Sequence, residues 1–318
     1  MSVATENGIL ATAAGGKSFV PRDVQAADGG TFVPRDAQAA DGSTSFVPRD
    51  AQTADGSTFA PALALLGSEV KADVASLYRV LRTLDDLVDE DDPRALERVQ
   101  AVERWAGRAG RAGGAVQASG AVQASGAGGA DPLGQADGAG GPQTNAPLTD
   151  TPETRALSGL ARAYPLSRDS LLEFCAGMRH DIARASIETD ADFMRYCQQA
   201  GGSVGVILAN ILGTARPEGE ERMATLGRAM QVTNILRDID EDRARGRVYI
   251  SGEAIERFGD PSPGAREALM RDHIARADEL YEEGLRAIPL LREGRRAMAL
   301  AAALYREILR QIEREGRV

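Results

Sequence analysis

Apolar residues recur three and four positions apart along most of the chain between residues 59 and 315, with polar residues between them. This spacing is typical of amphipathic helices that bury one face. No alternating pattern of useful length indicates a strand. We therefore expect an all-α fold, with helices near residues 59–70, 72–90, 93–107, 152–163, 168–187, 190–213, 219–243, 263–287 and 294–315.

Two tracts interrupt this pattern and have little apolar content. The first contains Phe-Val-Pro-Arg-Asp three times, beginning at Phe19, Phe32 and Phe46, and the second is rich in Gly, Ala and Ser. Such compositions do not offset the backbone entropy lost on ordering. We predict a disordered repeat leader over residues 1–56, followed by one helical domain over residues 57–318 with a low-complexity insert at about 108–149.

Charge and cysteine content narrow the class of protein. A net charge of −10 without a basic patch argues against a nucleic-acid partner. The two cysteines, Cys175 and Cys197, fall on predicted apolar helix faces and are expected to be reduced core residues. His180 and His273 are expected to be ordinary helix-surface residues. With no apolar stretch long enough to span a bilayer and no secretory signal, we expect a cytoplasmic protein.

Two acidic helical segments carry the candidate chemistry. Residues four apart share a helix face, so Asp85 and Asp89 point the same way, as do Asn234, Asp238 and Asp242. Facing each other, two such ladders would make an oxygen-lined cage for hard cations. Mg²⁺ binds through one or two carboxylates together with substrate phosphates. The pattern therefore predicts a magnesium site that receives a diphosphate.

Each acidic run, taken alone, has a simpler explanation as a solvated helix end. Two observations favour a joint site. Arg82 lies three residues before Asp85, and Arg237 directly precedes Asp238, which suits a site that also holds phosphate oxygens. Both segments also have apolar residues at helical spacing, namely Leu77, Leu81, Leu84 and Val88 in the first and Met230, Ile235 and Ile239 in the second.

These segments resemble the two aspartate-rich signatures of the squalene/phytoene synthase family, which joins two prenyl diphosphates head to head. The first match runs from Leu77 to Glu90, and the second from Thr233 to Ile250. Residues 177–181, 196–205 and 303–306 resemble further helices of the family. The motifs occur in the family order over roughly residues 57–107 and 150–316.

The resemblance implies a class I isoprenoid synthase fold, a single helical bundle, and a set of site residues. Tyr78 and Tyr305 would orient a diphosphate through their hydroxyl groups. Mg²⁺ is the implied cofactor, with Mn²⁺ as an alternative, and the use of NADPH is left open. The implied metal-binding residues are Asp85, Asp86, Asp89, Asn234, Asp238 and Asp242, and the implied diphosphate-binding residues are Arg82, Arg237, Arg247 and Asn234.

The implied reaction condenses two farnesyl or geranylgeranyl diphosphates through a cyclopropylcarbinyl diphosphate. Its product would be a C30 or C40 isoprenoid of the squalene, presqualene or phytoene type, made in terpenoid or carotenoid biosynthesis. Prenyl diphosphates are thus the expected partners, and apolar residues such as those of 204–212 would shield the cations from water. We expect a monomer, and leave open a peripheral membrane association for release of the lipid product.

The chain departs from the family pattern at two places that bear on the second ionisation. Ile187 stands where a tyrosine is usual, and the sequence ends at Val318 without a last basic helix. We therefore expect a share of the cyclopropyl intermediate to be released.

Two other functions stay open at this stage. One is prenylation of an aromatic acceptor in the same cage. The other is a non-catalytic assembly role, which would be expected with the loss of metal-binding carboxylates; both aspartate ladders are intact.

Overall fold

Helices form the regular structure of residues 58–109 and 150–314, which are the residues that the computed structural model describes. No strand forms within them, and one isolated antiparallel bridge joins Thr214 to Leu291. The all-α prediction is confirmed for this part of the chain, which falls in one compact unit. The predicted leader and most of the predicted insert lie outside the described residues.

Eleven α-helices occur among the described residues, one of them a single turn. They are α1 (Ala60–Leu63), α2 (Ser68–Asp89), α3 (Ala95–Ala109), α4 (Pro152–Ala163), α5 (Arg168–Ala183), α6 (Asp190–Cys197), α7 (Ser203–Leu212), α8 (Glu218–Ala244), α9 (Gly252–Phe258), α10 (Glu267–Gly284) and α11 (Arg295–Arg314).

Several helix boundaries differ from those expected. The helix predicted over 59–70 is only the turn α1, because Gly67 is extended (ψ 151°) and starts α2 at the next residue. Helix α5 ends at Ala183 rather than near 187, since Arg184 has a left-handed backbone (φ 48°) that stops the helix. The long helix predicted over 190–213 is divided by a π-helical turn, Gln198–Gly202.

The short helix α9 was not predicted. Ser251 begins it by accepting a hydrogen bond from the amide of Ala254, which satisfies one of the free donors of the first turn. A seven-residue helix gives too little periodic signal to be recognised in a sequence.

The helix predicted over 263–287 begins only at Glu267. It is followed after Gly284 by a 3₁₀ turn over Leu285–Leu290, which contains Pro289.

Helix α8 forms the centre of the bundle. It packs against α7, α10 and α11, and its buried residues lie on more than one face, among them Met223, Leu226, Ala229, Val232 and Leu236. A helix that is apolar around much of its circumference is buried on those sides. The acidic end of α8 emerges from this core, so the carboxylates of its last turns are held by a rigid support.

Glycines allow α7 and the π-helical turn to contact α8 backbone to backbone. A Cβ atom at Gly227 would overlap the carbonyl oxygen of Gly201, and one at Gly205 would overlap the carbonyl oxygen of Met223. Close helix packing therefore explains these glycines. The same glycines also line an apolar cavity, described below.

Side chains join α3 to α4 on either side of the predicted insert. Arg98 donates from Nε to Glu153 Oε2 at 2.8 Å, and the indole of Trp105 donates to Ser158 Oγ at 2.7 Å. Glu153 is almost completely buried, so its ion pair with Arg98 satisfies a charge that would otherwise be costly. The two helices are thus fixed to each other independently of the chain between them.

The cysteine prediction is confirmed, and one histidine prediction is wrong. Cys175 and Cys197 are both buried and free. His273 is fully buried rather than on the surface. Its Nδ1 donates a hydrogen bond to the carbonyl oxygen of Leu269 (3.0 Å), and its ring packs edge-on against Phe193. None of the helices in residues 58–109 and 150–314 has the length and apolarity needed to cross a bilayer.

Candidate active site

The two acidic ladders face a common cavity. Asp85 and Asp89 reach it from α2, and Asn234, Asp238 and Asp242 from α8, around a volume of about 310 Å³. Tyr78, Arg82, Arg237, Arg247 and Tyr305 also line it. Asp86 does not, and instead pairs with Arg82 at 2.9 Å.

The helical register explains why the carboxylates reach the cavity. On α2, Leu77, Leu81, Leu84 and Val88 are buried, and the aspartates occupy a neighbouring stripe. On α8, the buried residues beside the acidic stripe are Ile235, Leu236 and Ile239. On each helix, burial of the apolar stripe therefore turns the neighbouring acidic stripe toward the cavity.

The side chains that line the cavity carry an excess of negative charge. Burial, reinforced by repulsion from Asp89, raises the pKa of Asp85 to about 6. Burial likewise raises the pKa of Asp242 to about 7, with repulsion from Asp238 and from Asp89 on the opposite helix adding to it. Desolvation and like charges both disfavour the ionised form. A cavity of this kind is stabilised by a bound cation.

The three arginines of the cavity are each held by one of its aspartates. Arg82 donates from Nη1 to Asp85 at 3.1 Å, and Arg237 donates from Nε to its neighbour Asp238 at 2.8 Å.

Arg247 is the most buried of the three. Its guanidinium donates to Asp89 and, at 2.9 Å, to the carbonyl oxygen of Val88. It therefore fastens the loop after α8 to the end of α2, on the side chain and backbone of the acidic ladder itself. Contact of these arginines with a diphosphate stays a prediction.

The described residues fit a metal that is completed by its substrate. None of them form a group of three His, Cys, Asp or Glu side chains close enough to hold a metal alone. Mg²⁺ usually takes only one or two carboxylates and receives further oxygens from phosphates and water. In addition, the carbonyl oxygen of the Asn234 side chain is buried beside the carboxylates and accepts no hydrogen bond from the described residues. This oxygen and the ladders offer the hard ligands that Mg²⁺ prefers.

A second, apolar cavity of about 170 Å³ continues from the first. Seven residues line both, including Tyr78, Asn234 and Tyr305. Its deeper walls are Val74, Leu77, Leu208, Met223, Leu226 and Met298. Val204 and Leu208 come from the 204–212 stretch that was predicted to form such a wall. A ligand with an anionic head and a hydrocarbon tail matches this division.

Sequence reasoning missed a cluster at the rear of the acidic cavity. Asp181 accepts hydrogen bonds from the hydroxyl groups of Tyr249 (2.9 Å, at Oδ1) and Tyr196 (3.1 Å, at Oδ2). The two rings stack with centroids 4.9 Å apart, and all three residues line the cavity. Only the family resemblance of residues 177–181 and 196–205 pointed to this region, and it gave the cluster no role.

Ile187 does not reach this cavity. It is buried, and its carbonyl oxygen accepts from the amide of Gly252 at 2.8 Å. The tyrosine hydroxyls near Asp181 thus come from α6 and from the loop after α8, rather than from position 187.

Comparisons with known proteins agree with this geometry. A phytoene synthase from Thermus thermophilus is 38% identical over 171 residues, which are 51% of this chain and 58% of that protein. A presqualene diphosphate synthase from Sinorhizobium fredii is 27% identical over 258 residues, covering 74% of this chain and 76% of the relative. The chain thus spans little more than half the length of the phytoene synthase that it matches.

Solved structures extend the likeness to the fold. A dehydrosqualene synthase in complex with ligand superposes with a TM-score of 0.63 at 28% identity, over 81% of this chain and 82% of that one. The expected isoprenoid synthase fold is therefore confirmed. Residues 52–318 match the sequence profile described as squalene/phytoene synthase, and the chain belongs to that family.

Proposed function

We propose that this chain is a Mg²⁺-dependent prenyltransferase that condenses two prenyl diphosphates head to head through a cyclopropylcarbinyl diphosphate. The observation that carries the proposal is the junction of the two cavities. Carboxylates from α2 and α8 surround one, and apolar side chains enclose the other, with Tyr78, Asn234 and Tyr305 at the boundary. This arrangement suits a substrate with a diphosphate head and a prenyl tail.

Similarity to a phytoene synthase and to a presqualene diphosphate synthase supports the same reaction class. We propose a C30 or C40 isoprenoid as the product, and leave its length open. The retention of both aspartate ladders argues against a non-catalytic role.

The residues of the site have distinct tasks in this reaction. Bound Mg²⁺ would supply Lewis-acid stabilisation of the leaving diphosphate. The metal would be held by Asp85, Asp89, Asn234, Asp238 and Asp242. Tyr78 and Tyr305 would donate hydrogen bonds to the diphosphate where its prenyl chain enters the apolar cavity. That cavity would exclude water from the allylic cation, which water would otherwise capture.

Incubation of the purified protein with farnesyl or geranylgeranyl diphosphate and Mg²⁺, with and without NADPH, tests the proposal. We expect a cyclopropylcarbinyl diphosphate or its hydrocarbon product by mass spectrometry, and none when a chelator is present. Consumption of prenyl diphosphate only with an added aromatic acceptor would show the alternative transferase instead. No consumption in any mixture would contradict an enzymatic role.

A further inference from the structure

The proposed reaction requires a base, and the following inference rests on that proposed function. The carbon that leaves its diphosphate carries two hydrogens, and only one remains when this carbon joins both ends of the acceptor double bond. As the ring closes, a C–H bond breaks, its electron pair forms the second C–C bond, and one proton must leave. Proton transfer to a positioned side chain accelerates such a step by about 10²–10⁴-fold.

Asp181 lies between the reaction cavity and a third cavity. This third cavity has a volume of about 290 Å³, and Asp181, Arg247 and Tyr249 line both spaces. The exposed residues Arg184, Ser186 and Glu188 also line the third cavity, so it reaches solvent. Asp181 is thus the one carboxylate among the described residues that borders both the reacting space and this second route to water.

We propose that Asp181 accepts the proton released on cyclopropane ring closure and passes it to solvent through the third cavity.

The hydrogen bonds of Asp181 leave it able to act in this way. Each of its oxygens accepts one tyrosine hydroxyl, and a carboxylate has about four lone-pair positions, so two directions stay open. Both tyrosine hydroxyls donate, which restricts rotation of the carboxylate. Neither partner is a cation, so these contacts do not neutralise the charge of the Asp181 carboxylate.

Burial keeps the Asp181 carboxylate basic. Burial raises the pKa of Asp181 to about 7, and the charge on Asp85 of α2 adds to the effect. The hydroxyls of Tyr249 and Tyr196 and the charge of Arg247 act in the opposite direction. His180, the neighbour of Asp181 on α5, is half-buried, and its pKa is lowered by burial. A base that operates near neutral pH needs a pKa in this range.

The test compares ring formation with ionisation in the full-length protein. Asp181→Asn keeps the size of the side chain and one acceptor oxygen, but it removes the base. We expect Asp181→Asn to release inorganic diphosphate within about threefold of the wild-type rate, and to yield alcohols in place of ring product, because water captures either the allylic cation or the coupled cation that has formed only the first C–C bond. The ratio of cyclopropyl product to alcohol should fall at least about a hundredfold.

The dependence of the product ratio on pH separates proton acceptance from positioning. If Asp181 accepts the proton, the ratio of cyclopropyl product to alcohol made by the wild type should fall as the pH is lowered and the carboxylate is protonated, and Asp181→Asn should lack this dependence. The same pH dependence in the wild type and in Asp181→Asn would overturn the proposal. Ring product at the wild-type ratio, or an equal loss of ring formation and ionisation, would overturn it as well.

Two further variants control for misfolding, and the wild-type protein tests the underlying function. Asp73 accepts the hydroxyl of Tyr164 at 2.6 Å but lines none of the three cavities. Asp73→Asn is therefore the matched control and should leave the product ratio unchanged. Asp181→Glu restores a carboxylate and should recover part of the ring product. Wild-type protein that ionises substrate but never forms a ring would instead contradict the proposed function itself.

Discussion

Asp91 and Arg184 form an ion pair (2.9 Å) although each has a left-handed backbone, with φ of 52° and 48°. They are the only residues other than glycine with positive φ in residues 58–109 and 150–314. The pair links the ends of α2 and α5, which carry Asp89 and Asp181 respectively. Both side chains are about half exposed or more, so we expect the pair itself to contribute only ~0–1 kcal/mol.

Two substitutions at Arg184 separate the backbone conformation from the ion pair. Arg184→Ala loses the pair and keeps the unfavourable conformation, whereas Arg184→Gly loses the pair but relieves the backbone. The free energy of unfolding of Arg184→Gly should therefore be about 1 kcal/mol greater than that of Arg184→Ala. Urea denaturation followed by circular dichroism measures the difference. Equal stabilities would mean that the backbone at this position is not strained.

The acidic ladders should be needed for catalysis. Asp89→Asn or Asp238→Asn removes a ligand from the proposed metal site, and we expect turnover to fall at least about a hundredfold while the helical fold persists. Neighbouring carboxylates that lie outside the cavity provide controls of equal charge. Glu90→Gln and Glu241→Gln should keep near wild-type activity, because neither side chain lines the cavity. A fully active Asp89→Asn or Asp238→Asn protein would remove the metal assignment.

Metal-free protein should become more stable when a carboxylate of the site is neutralised. Asp242 is partly buried near Asp238 and Asp89, and its charge is disfavoured there, as its raised pKa indicates. Asp242→Asn should therefore raise the free energy of unfolding by about 1–2 kcal/mol in the presence of a chelator. Thermal melts with and without Mg²⁺ and inorganic diphosphate measure this. The variant should lose the stabilisation that these ligands give the wild type; a less stable metal-free variant would argue against a surplus of negative charge.

Close packing of the π-helical turn on α8 should make Gly227 irreplaceable, whereas Gly159 of α4 should be replaceable. At Gly227 a Cβ atom would overlap backbone, so Gly227→Ala should destabilise by about 1–3 kcal/mol through overpacking. At Gly159, in the exposed face of α4, a Cβ atom meets nothing within 4 Å. Gly159→Ala should stabilise by about 0.5–1 kcal/mol. If both variants shifted the melting temperature equally, close approach would not explain Gly227.

The low-complexity tracts should be dispensable. Replacing residues 110–147 by a short Gly/Ser linker, or deleting residues 1–55, should leave melting temperature and turnover nearly unchanged, because neither tract has the apolar content needed to pack. The pairs Arg98–Glu153 and Trp105–Ser158 hold α3 against α4 without the insert. Loss of folded protein on either change would show that the removed tract packs against the bundle.

Local spacing accounts for the parts of the site that the sequence predicted. Asp85 and Asp89, or Asp238 and Asp242, lie one helical turn apart, so periodicity alone places each pair on a face. Asp181, Tyr196 and Tyr249 come from α5, α6 and the loop after α8, and no periodic rule connects positions so far apart. Their meeting depends on tertiary packing, including the helix end at Arg184.

Helix boundaries show the same division. Strong apolar periodicity predicted α2, α4 and α8 to within a few residues. Helix α5 ends early because Arg184 has a left-handed backbone, and an arginine in a sequence does not indicate that conformation. The π-helical turn at 198–202 arises where glycines let two backbones meet, which is a property of a pair of helices. The ion pair of Arg247 with Asp89 was not predicted either, because the two residues lie 158 positions apart.

The side-chain connections between α3 and α4 have a consequence for chain continuity. Since an ion pair and an indole hydrogen bond hold these helices together, a covalent link between them is not what aligns them. A polypeptide ending after α3 and a second one starting before α4 thus carry complementary surfaces, and the two fragments should reassemble when they are produced together. The junction is also a place at which a reporter domain can be inserted without interrupting a helix of the described residues.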